Sequence, residues 1–223
     1  MFFLMMKKMM ISLLTACATL SAAPEAIVFD FGGVMTKEPN REAVVQFLCK
    51  SFALSPQEFE VVNQEKRKAV KTGKSDQDFW LEYARQKNIS LPKGWKDSFK
   101  HVMKDAIGVN HEMYDLVLEL KGKGIPVALL SNIDDRLARI IREFNLYAPF
   151  DPCLLSCEIG LEKPDPKIYE FLLKEMELSA TSIIFIDDRA ENIEAAQKLG
   201  FDAILFTSQN QLQKELKKRG LLG

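Results

Sequence analysis

Apolar residues follow two different rhythms along this chain, and the change from one to the other organises it. "AIVFD", Ala26 to Asp30, is an unbroken apolar run ending on a carboxylate. It predicts a short strand, Ile27 to Asp30, buried on both faces. From residue 40 to about 107 the spacing turns helical. "REAVVQFLCKSFAL", "SPQEFEVVNQEKRKAV", "SDQDFWLEYARQKN" and "LPKGWKDSFKHVMKDAI" each repeat their apolar positions at helical intervals. Ser55-Pro56 with Glu58, and Ser75, are start signals for the second and third helices. Four helices on short connections predict a small bundle.

Beyond the bundle the two rhythms alternate. A helix from His111 to Lys121 stops at Gly122 and Gly124 and leads into a strand, Pro126 to Leu130. Helix Asp134 to Phe144 precedes a short strand, Cys153 to Ser156, and helix Pro166 to Met176 precedes strand Ile183 to Ile186. Helix Ala190 to Leu199, strand Ala203 to Phe206 and helix Gln209 to Lys218 complete the series. Apolar strands alternating with amphipathic helices predict an α/β fold. It is a Rossmann-like parallel sheet with helices on both faces and right-handed crossovers, into which the helical bundle is inserted after the first strand. The expected boundaries are 26–35 and 108–223 for the sheet domain and 36–107 for the insert.

Composition narrows the function classes. With 223 residues, 47% of them hydrophobic, the chain can bury a sizeable core. A formal net charge of −1 leaves no electrostatic footprint for nucleic acid or an anionic membrane. Four cysteines without a CxxC pair, and only two histidines, do not make a zinc centre. Cys153 and Cys157 are expected on one face of a core strand, as buried thiols and not a disulfide.

Residues 1–23 have the order of a signal peptide. "MKKMMISLLTACATLSAAP", Met6 to Pro24, sets a Lys pair before an apolar run and then small residues. The run is too short to span a bilayer, so no transmembrane span is expected. "LTAC", Leu14 to Cys17, resembles the lipobox of bacterial lipoproteins, which would make Cys17 a lipid-anchored N-terminus; ordinary cleavage near Ala22 competes with it. The expectation is export, periplasmic or lipid-anchored, with a cytoplasmic location as the alternative.

Chemistry gathers where the strands end, which is where parallel sheets bind ligands. The first strand ends in Asp30, "VALLS" in Ser131-Asn132 and "IIFI" in Asp187-Asp188, and "GLEKPDPKIY" offers Lys163 ahead of a helix. Singly, each has an ordinary explanation as a helix cap or a salt bridge. Together, adjacent carboxylates repel and keep their charge only beside a cation. A hard cation with few protein ligands points to Mg²⁺, which binds one or two carboxylates, water and substrate phosphate. Amides after Ser131 and the Lys163 ammonium suit phosphate oxygens, and an aspartate facing that phosphate can attack it.

These residues resemble the haloacid dehalogenase-like superfamily across residues 26 to 207. "FDFGGV", "LLSN", "GLEKPDPKIY" and "FIDDRAENIEAA" occur in the family's order, and the insert resembles its helical C1 cap. The resemblance implies that Asp30 is the nucleophile that forms an aspartyl-phosphate on a small phosphorylated metabolite. It implies Mg²⁺ on Asp30, the Gly32 carbonyl and Asp188, with Asp187 supporting directly or through water. Ser131 and the Asn132 amide would hold the phosphoryl oxygens, Lys163 would neutralise charge, orient the carboxylates and bind phosphate, and Asn192, one helical turn past Asp188, would support the site from the same face.

One position departs from the family pattern. Its phosphatases usually carry a second Asp at the place of Gly32, as general acid/base, and losing such a group typically costs about 10²–10⁴ in rate. Gly32 is also a candidate for a turn at φ > 0. Members with a similar opening resemble sugar-phosphate phosphatases and the phosphatase half of epoxide hydrolases. A 2-haloacid dehalogenase is an alternative, although that branch needs neither metal nor an Asp-Asp pair; a phosphate-ligand-binding protein with lapsed catalysis is another. In the insert, Glu65, Lys66 and Arg67 are expected on a solvated helix face, and Phe79, Trp80 and Tyr83 in the bundle's core.

Overall fold

The computed structural model describes residues 24–223, so the export and lipidation expectations for residues 1–23 lie outside the described residues. At its centre is the first apolar run. β1 (Ala26–Phe29) is buried throughout, as an apolar run without alternation requires. It lies between β2 (Val127–Ser131) and β4 (Ile183–Asp187), with β3 (Cys153–Leu155) and β5 (Asp202–Leu205) outside them. The order is β3-β2-β1-β4-β5 and every pairing is parallel. The chain steps outward from β1 to β2 and β3, then returns past β1 to build the other half. The reversal falls beside β1, the place where connections diverge and leave the carboxyl ends of the strands open.

The insert is α1 (Arg41–Phe52), α2 (Pro56–Lys71), α3 (Asp76–Gln86) and α4 (Trp95–Ala106). Ser55 opens α2 with a full capping box to Glu58, a device that contributes about 1 kcal/mol. The four helices bury a core of their own around Leu48, Phe52, Phe59, Trp80, Trp95 and Phe99. Phe59 stacks on Trp80 with ring centroids 5.9 Å apart, and Phe79 and Tyr83 pack beside them. Two antiparallel linkers join this cap to the sheet: Thr36 pairs with Val109, and the Lys37 amide donates to the Gly108 carbonyl at 2.6 Å. Gly108 has φ +72°, and a Cβ there would meet the Lys37 carbonyl at 2.8 Å, so the crossing needs glycine.

The remaining helices cover the sheet. α5 (His111–Gly122), α6 (Asp135–Glu143) and α10 (Gln209–Lys218) bury Met113, Leu120, Ile141 and Leu216 against Ile27, Phe29 and Ile186 on one face. α8 (Pro166–Met176) and α9 (Ala190–Lys198) bury Ile168, Leu172, Ile193 and Ala196 against Val28, Leu130 and Phe185 on the other. One expectation fails. β3 stops at Leu155, and Ser156–Ile159 form a single helical turn, α7, closed by Gly160 at φ +70°. The Ser156 hydroxyl accepts the Ile133 amide at 2.9 Å, which ties that turn to the end of β2. Cys157 is therefore exposed and Cys153 half-buried, both free, and not a pair of buried thiols on one strand face.

Candidate active site

Parallel neighbours lie about 4.8 Å apart, so residues just past the ends of β2, β1 and β4 meet on one rim. The Asp30 amide donates to the Ile186 carbonyl at 2.8 Å, which seats it level with the end of β4. Lys163 reaches that rim from the loop before α8. Its ammonium donates to Asp30 Oδ1 at 2.8 Å, to Asp187 Oδ2 at 2.6 Å and to the Leu130 carbonyl at 2.7 Å. An ammonium has three N–H groups, and here all three are committed inside a side chain that is 1% exposed. Lys163 thus orients the two carboxylates, but it has no N–H left for the expected contact with a phosphoryl group in this geometry.

The backbone that carries Lys163 is clamped in turn. The Asn132 side chain donates to the Lys163 carbonyl at 2.7 Å and accepts its amide at 2.8 Å. The sequence implies a role for the Asn132 amide alone; the clamp by its side chain has no local signal, because it closes across thirty-one positions. Ser131 ends β2, is buried, and lines the cleft above the rim.

Asp187 and Asp188, adjacent in sequence, do different things. Asp187 has no exposure; Oδ1 accepts the Arg189 amide and Asn192 Nδ2, both at 2.9 Å, and Oδ2 accepts Lys163 and Asn192. Its lone pairs are filled, so it acts as the anchor of Lys163 more than as a free ligand. Asn192, expected to support the site, does so through Asp187, and its own backbone carbonyl accepts the Tyr169 hydroxyl at 2.9 Å. Asp188 stands open to the cleft, lying directly over Gly33.

The glycine pair also divides its work. Gly33 has φ +72°, and a Cβ there would collide with Asp188 Oδ2, so it needs glycine for both conformation and room. Gly32 is not in the left-handed region, and an ideal Cβ on it has nothing within 4 Å. The turn requirement belongs to Gly33, and position 32 is an open place beside the rim.

Carboxylate oxygens of Asp30, Asp187 and Asp188 lie within 4.8 Å of one another. Burial pushes the Asp30 carboxyl up from 3.8 to about 6, with Lys163 opposing and the Asp187 charge adding to the rise. Asp188 is raised by burial and by Asp187. Three carboxylates against one ammonium leave the rim short of positive charge. The cluster is all hard oxygen, with no thiolate or imidazole in it, which fits a magnesium-type cation next to Asp30 and Asp188.

Above the rim is a cleft of about 1120 Å³ between sheet and cap. Lys66, expected in solvent, is buried on its wall, with its ammonium 2.7 Å from Asp76 Oδ1; Arg136 of α6 reaches the same carboxylate at 2.8 Å. No local signal in the sequence marks this trio, because it is closed by a contact sixty positions apart.

A parallel sheet that gathers carboxylates, a hydroxyl and a buried ammonium beneath an inserted helical cap defines a Rossmann-like hydrolase. A model of the haloacid dehalogenase-like hydrolases matches residues 24–200, and the chain belongs to that family. A sesquiterpene phosphatase of Aspergillus oryzae is 29% identical over 204 residues, which are 91% of this chain and 97% of the relative. Bifunctional epoxide hydrolase 2 of Sus scrofa is 31% identical over 143 residues, 60% of this chain but only 25% of that longer protein. An (S)-2-haloacid dehalogenase of Burkholderia cepacia is 28% identical over 140 residues, 59% of this chain and 60% of the relative. Among solved structures, a family enzyme from Bacteroides thetaiotaomicron in complex with magnesium and inorganic phosphate aligns at TM-score 0.51 with 20% identity, over 85% of this chain and 98% of that one.

Proposed function

We propose that the protein is a Mg²⁺-dependent phosphatase that hydrolyses a small phosphorylated metabolite, a sugar phosphate being one candidate, through a phosphoryl group carried on Asp30. The observation that carries this is the convergence of Asp30, Asp187 and Asp188 within 4.8 Å around one fully committed lysine. Lys163 occupies Asp30 Oδ1, which leaves Oδ2 to attack phosphorus as the bond to the leaving oxygen breaks. The leaving oxygen takes its proton from solvent; water then attacks phosphorus, gives up a proton to solvent, and releases inorganic phosphate with return of the Asp30 carboxylate. Ser131 and the amides that follow it receive the phosphoryl oxygens. Asp30, Asp188 and the Gly32 carbonyl would hold Mg²⁺, which supplies charge neutralisation for those oxygens.

The relative that matches over nearly its whole length is a phosphatase by name, which supports this reading. A dehalogenase relative keeps the alternative in view. Yet displacing halide from carbon needs neither metal nor proton, and it has no use for a carboxylate held open over Gly33. A binding protein with lapsed catalysis would have no need of the intact Asp30–Lys163–Asp187 network.

Asp188→Asn tests the metal role. It removes one charge at an open rim, so phosphatase activity should drop by ~10²-fold or more while the melting temperature moves by no more than ~2 °C. Wild-type activity in that variant would exclude Asp188 as a ligand. We also propose that residues 1–23 direct export. Intact mass of protein from its native host should then lack roughly the first 17 to 23 residues; an intact N-terminus in most molecules would contradict it.

A further inference from the structure

Lys66, Asp76 and Arg136 form a second ionic cluster, separate from the Asp30 rim but on the wall of the same cleft. Asp76, the first residue of α3, takes Lys66 Nζ at 2.7 Å on Oδ1. It also takes Arg136 across the boundary between cap and sheet domain, Nη2 at 2.8 Å and Nε at 3.3 Å. The Lys66 and Asp76 side chains are about nine-tenths buried, at 11% and 10% exposure. Two cations thus share one carboxylate. Among the described residues no second acid lies within ion-pair distance of either, and the cluster carries one excess positive charge.

Its donors are not used up. Lys66 spends one of three N–H groups on Asp76, and Arg136, whose side chain is 44% exposed, spends Nε and Nη2, so two ammonium hydrogens and the solvent-facing Nη1 group make no contact among the described residues and are free to meet a ligand. Burial, with the charges of Arg136 and Arg67, lowers the Lys66 pKa despite Asp76. Burial works to raise the Asp76 carboxyl, and Lys66 with Arg136 overcome it and hold it low. The site is therefore rich in cations and short of an anion. A plain tie between cap and sheet domain needs only Arg136 and Asp76; the buried second cation is an expense such a tie does not require.

We infer that Lys66 and Arg136, held in place by Asp76, are specificity-determining residues that receive a second anionic group, a carboxylate or a second phosphate, on the leaving-group end of the substrate. This rests on the phosphatase reading and narrows it to phosphomonoesters with a further acid group, such as phosphorylated sugar acids. Apolar side chains also line the cleft, and a hydrocarbon leaving group is the rival. However, Leu48, Phe59, Trp80 and Phe99 are already packed into the cap's own core and Leu137, 40% exposed, is the one strongly exposed large apolar side chain on the cleft wall among the described residues, whereas the cluster offers several N–H groups that are not spent.

Matched esters test it. Phosphoglycolate, 3-phosphoglycerate and 6-phosphogluconate are compared with 2-hydroxyethyl phosphate, glycerol 3-phosphate and sorbitol 6-phosphate, in which an alcohol replaces the acid; fructose 1,6-bisphosphate against fructose 6-phosphate is the phosphate arm, and farnesyl monophosphate the hydrocarbon one. Charge-assisted pairing should give at least one acid-bearing ester about a tenfold or greater advantage in kcat/KM over its neutral partner. Lys66→Met and Arg136→Met should reduce that advantage to about twofold or less, chiefly by raising KM for the acid-bearing ester. Arg136→Lys should restore part of it. Calorimetric binding of the same pairs to the Asp30→Asn protein reads the preference without turnover. Equal losses on acid and neutral esters would make the trio a structural tie only. No acid preference in the wild type, or farnesyl monophosphate as the best ester, would also overturn the inference. If no phosphate ester is hydrolysed at all, it is the phosphatase reading that fails.

Discussion

Asp30→Asn should remove turnover, with a loss expected at ~10⁴-fold or more, because the proposed nucleophile is gone and nothing else on the rim can take its place. Lys163 is committed to its three acceptors, Asp187 has its lone pairs filled, and Asp188 is the proposed metal ligand. Asparagine has the same shape, so the loss should come without loss of fold. Stability should move the other way. Asp30 carries a folded-state pKa of about 6 against 3.8 for an ordinary Asp. A raised carboxyl stabilises the fold fully below 3.8, and that contribution is lost as pH rises through about 6. Metal-free wild type should therefore weaken between those pH values relative to Asp30→Asn, and Mg²⁺ should recover the difference. Thermal unfolding across that window, with and without Mg²⁺, checks the sign. A wild-type-like rate in the variant would mean that water attacks the ester directly.

Gly32→Asp restores the proton donor that the family's phosphatases usually carry. Its outcome depends on two facts about position 32: the backbone there is not left-handed, and the space around a Cβ is open. The backbone strain that a positive-φ glycine would impose, about 1–3 kcal/mol, does not arise at Gly32 and belongs to Gly33. The substitution should thus carry no backbone strain, and the stability it costs in metal-free protein should come from a fourth carboxylate beside a crowded rim, which Mg²⁺ should offset. Alkyl phosphates release basic alkoxides and gain from a positioned acid, by ~10²-fold or more in kcat. Aryl phosphates leave without much help and should barely change. In the wild type, the rate should accordingly depend steeply on leaving-group acidity. A flat dependence in the wild type, or an unaltered one in Gly32→Asp, would show that a cap residue already supplies the proton.

The elements that the sequence made legible are those whose burial is uniform. β1, β2 and β4 are covered on both faces, so their apolar runs stand out, and a polar residue that follows such a run has to lie at an end. That logic reached Asp30, Ser131 and Asp187 without any long-range information. Ser55 and Ser75 likewise announced α2 and α3, because caps are local. What stayed hidden depends on partners distant in the chain. Asn132 clamping Lys163, the choice of Asp187 as the partner of Asn192, and Lys66 drawn off a lysine-rich helix by Asp76 are all settled by tertiary contact. The two glycines could not be told apart either, since the left-handed φ and the nearness of Asp188 at Gly33 are properties of the folded turn. α7 was missed because four residues are too few to show a helical period.

The central claim is metal-dependent phosphoryl transfer at Asp30, and product release by metal-stripped protein as Mg²⁺ is added back tests it most directly. Phosphate release from a panel of phosphate esters and chloride release from L-2-chloropropionate are followed in the same preparation, with excess EDTA as the starting point. The expected result is no phosphate in EDTA, phosphate release that rises and saturates with Mg²⁺, and no chloride under either condition. Chloride release that persists in EDTA, with no phosphate released at any Mg²⁺ concentration, would contradict it and make the protein a dehalogenase.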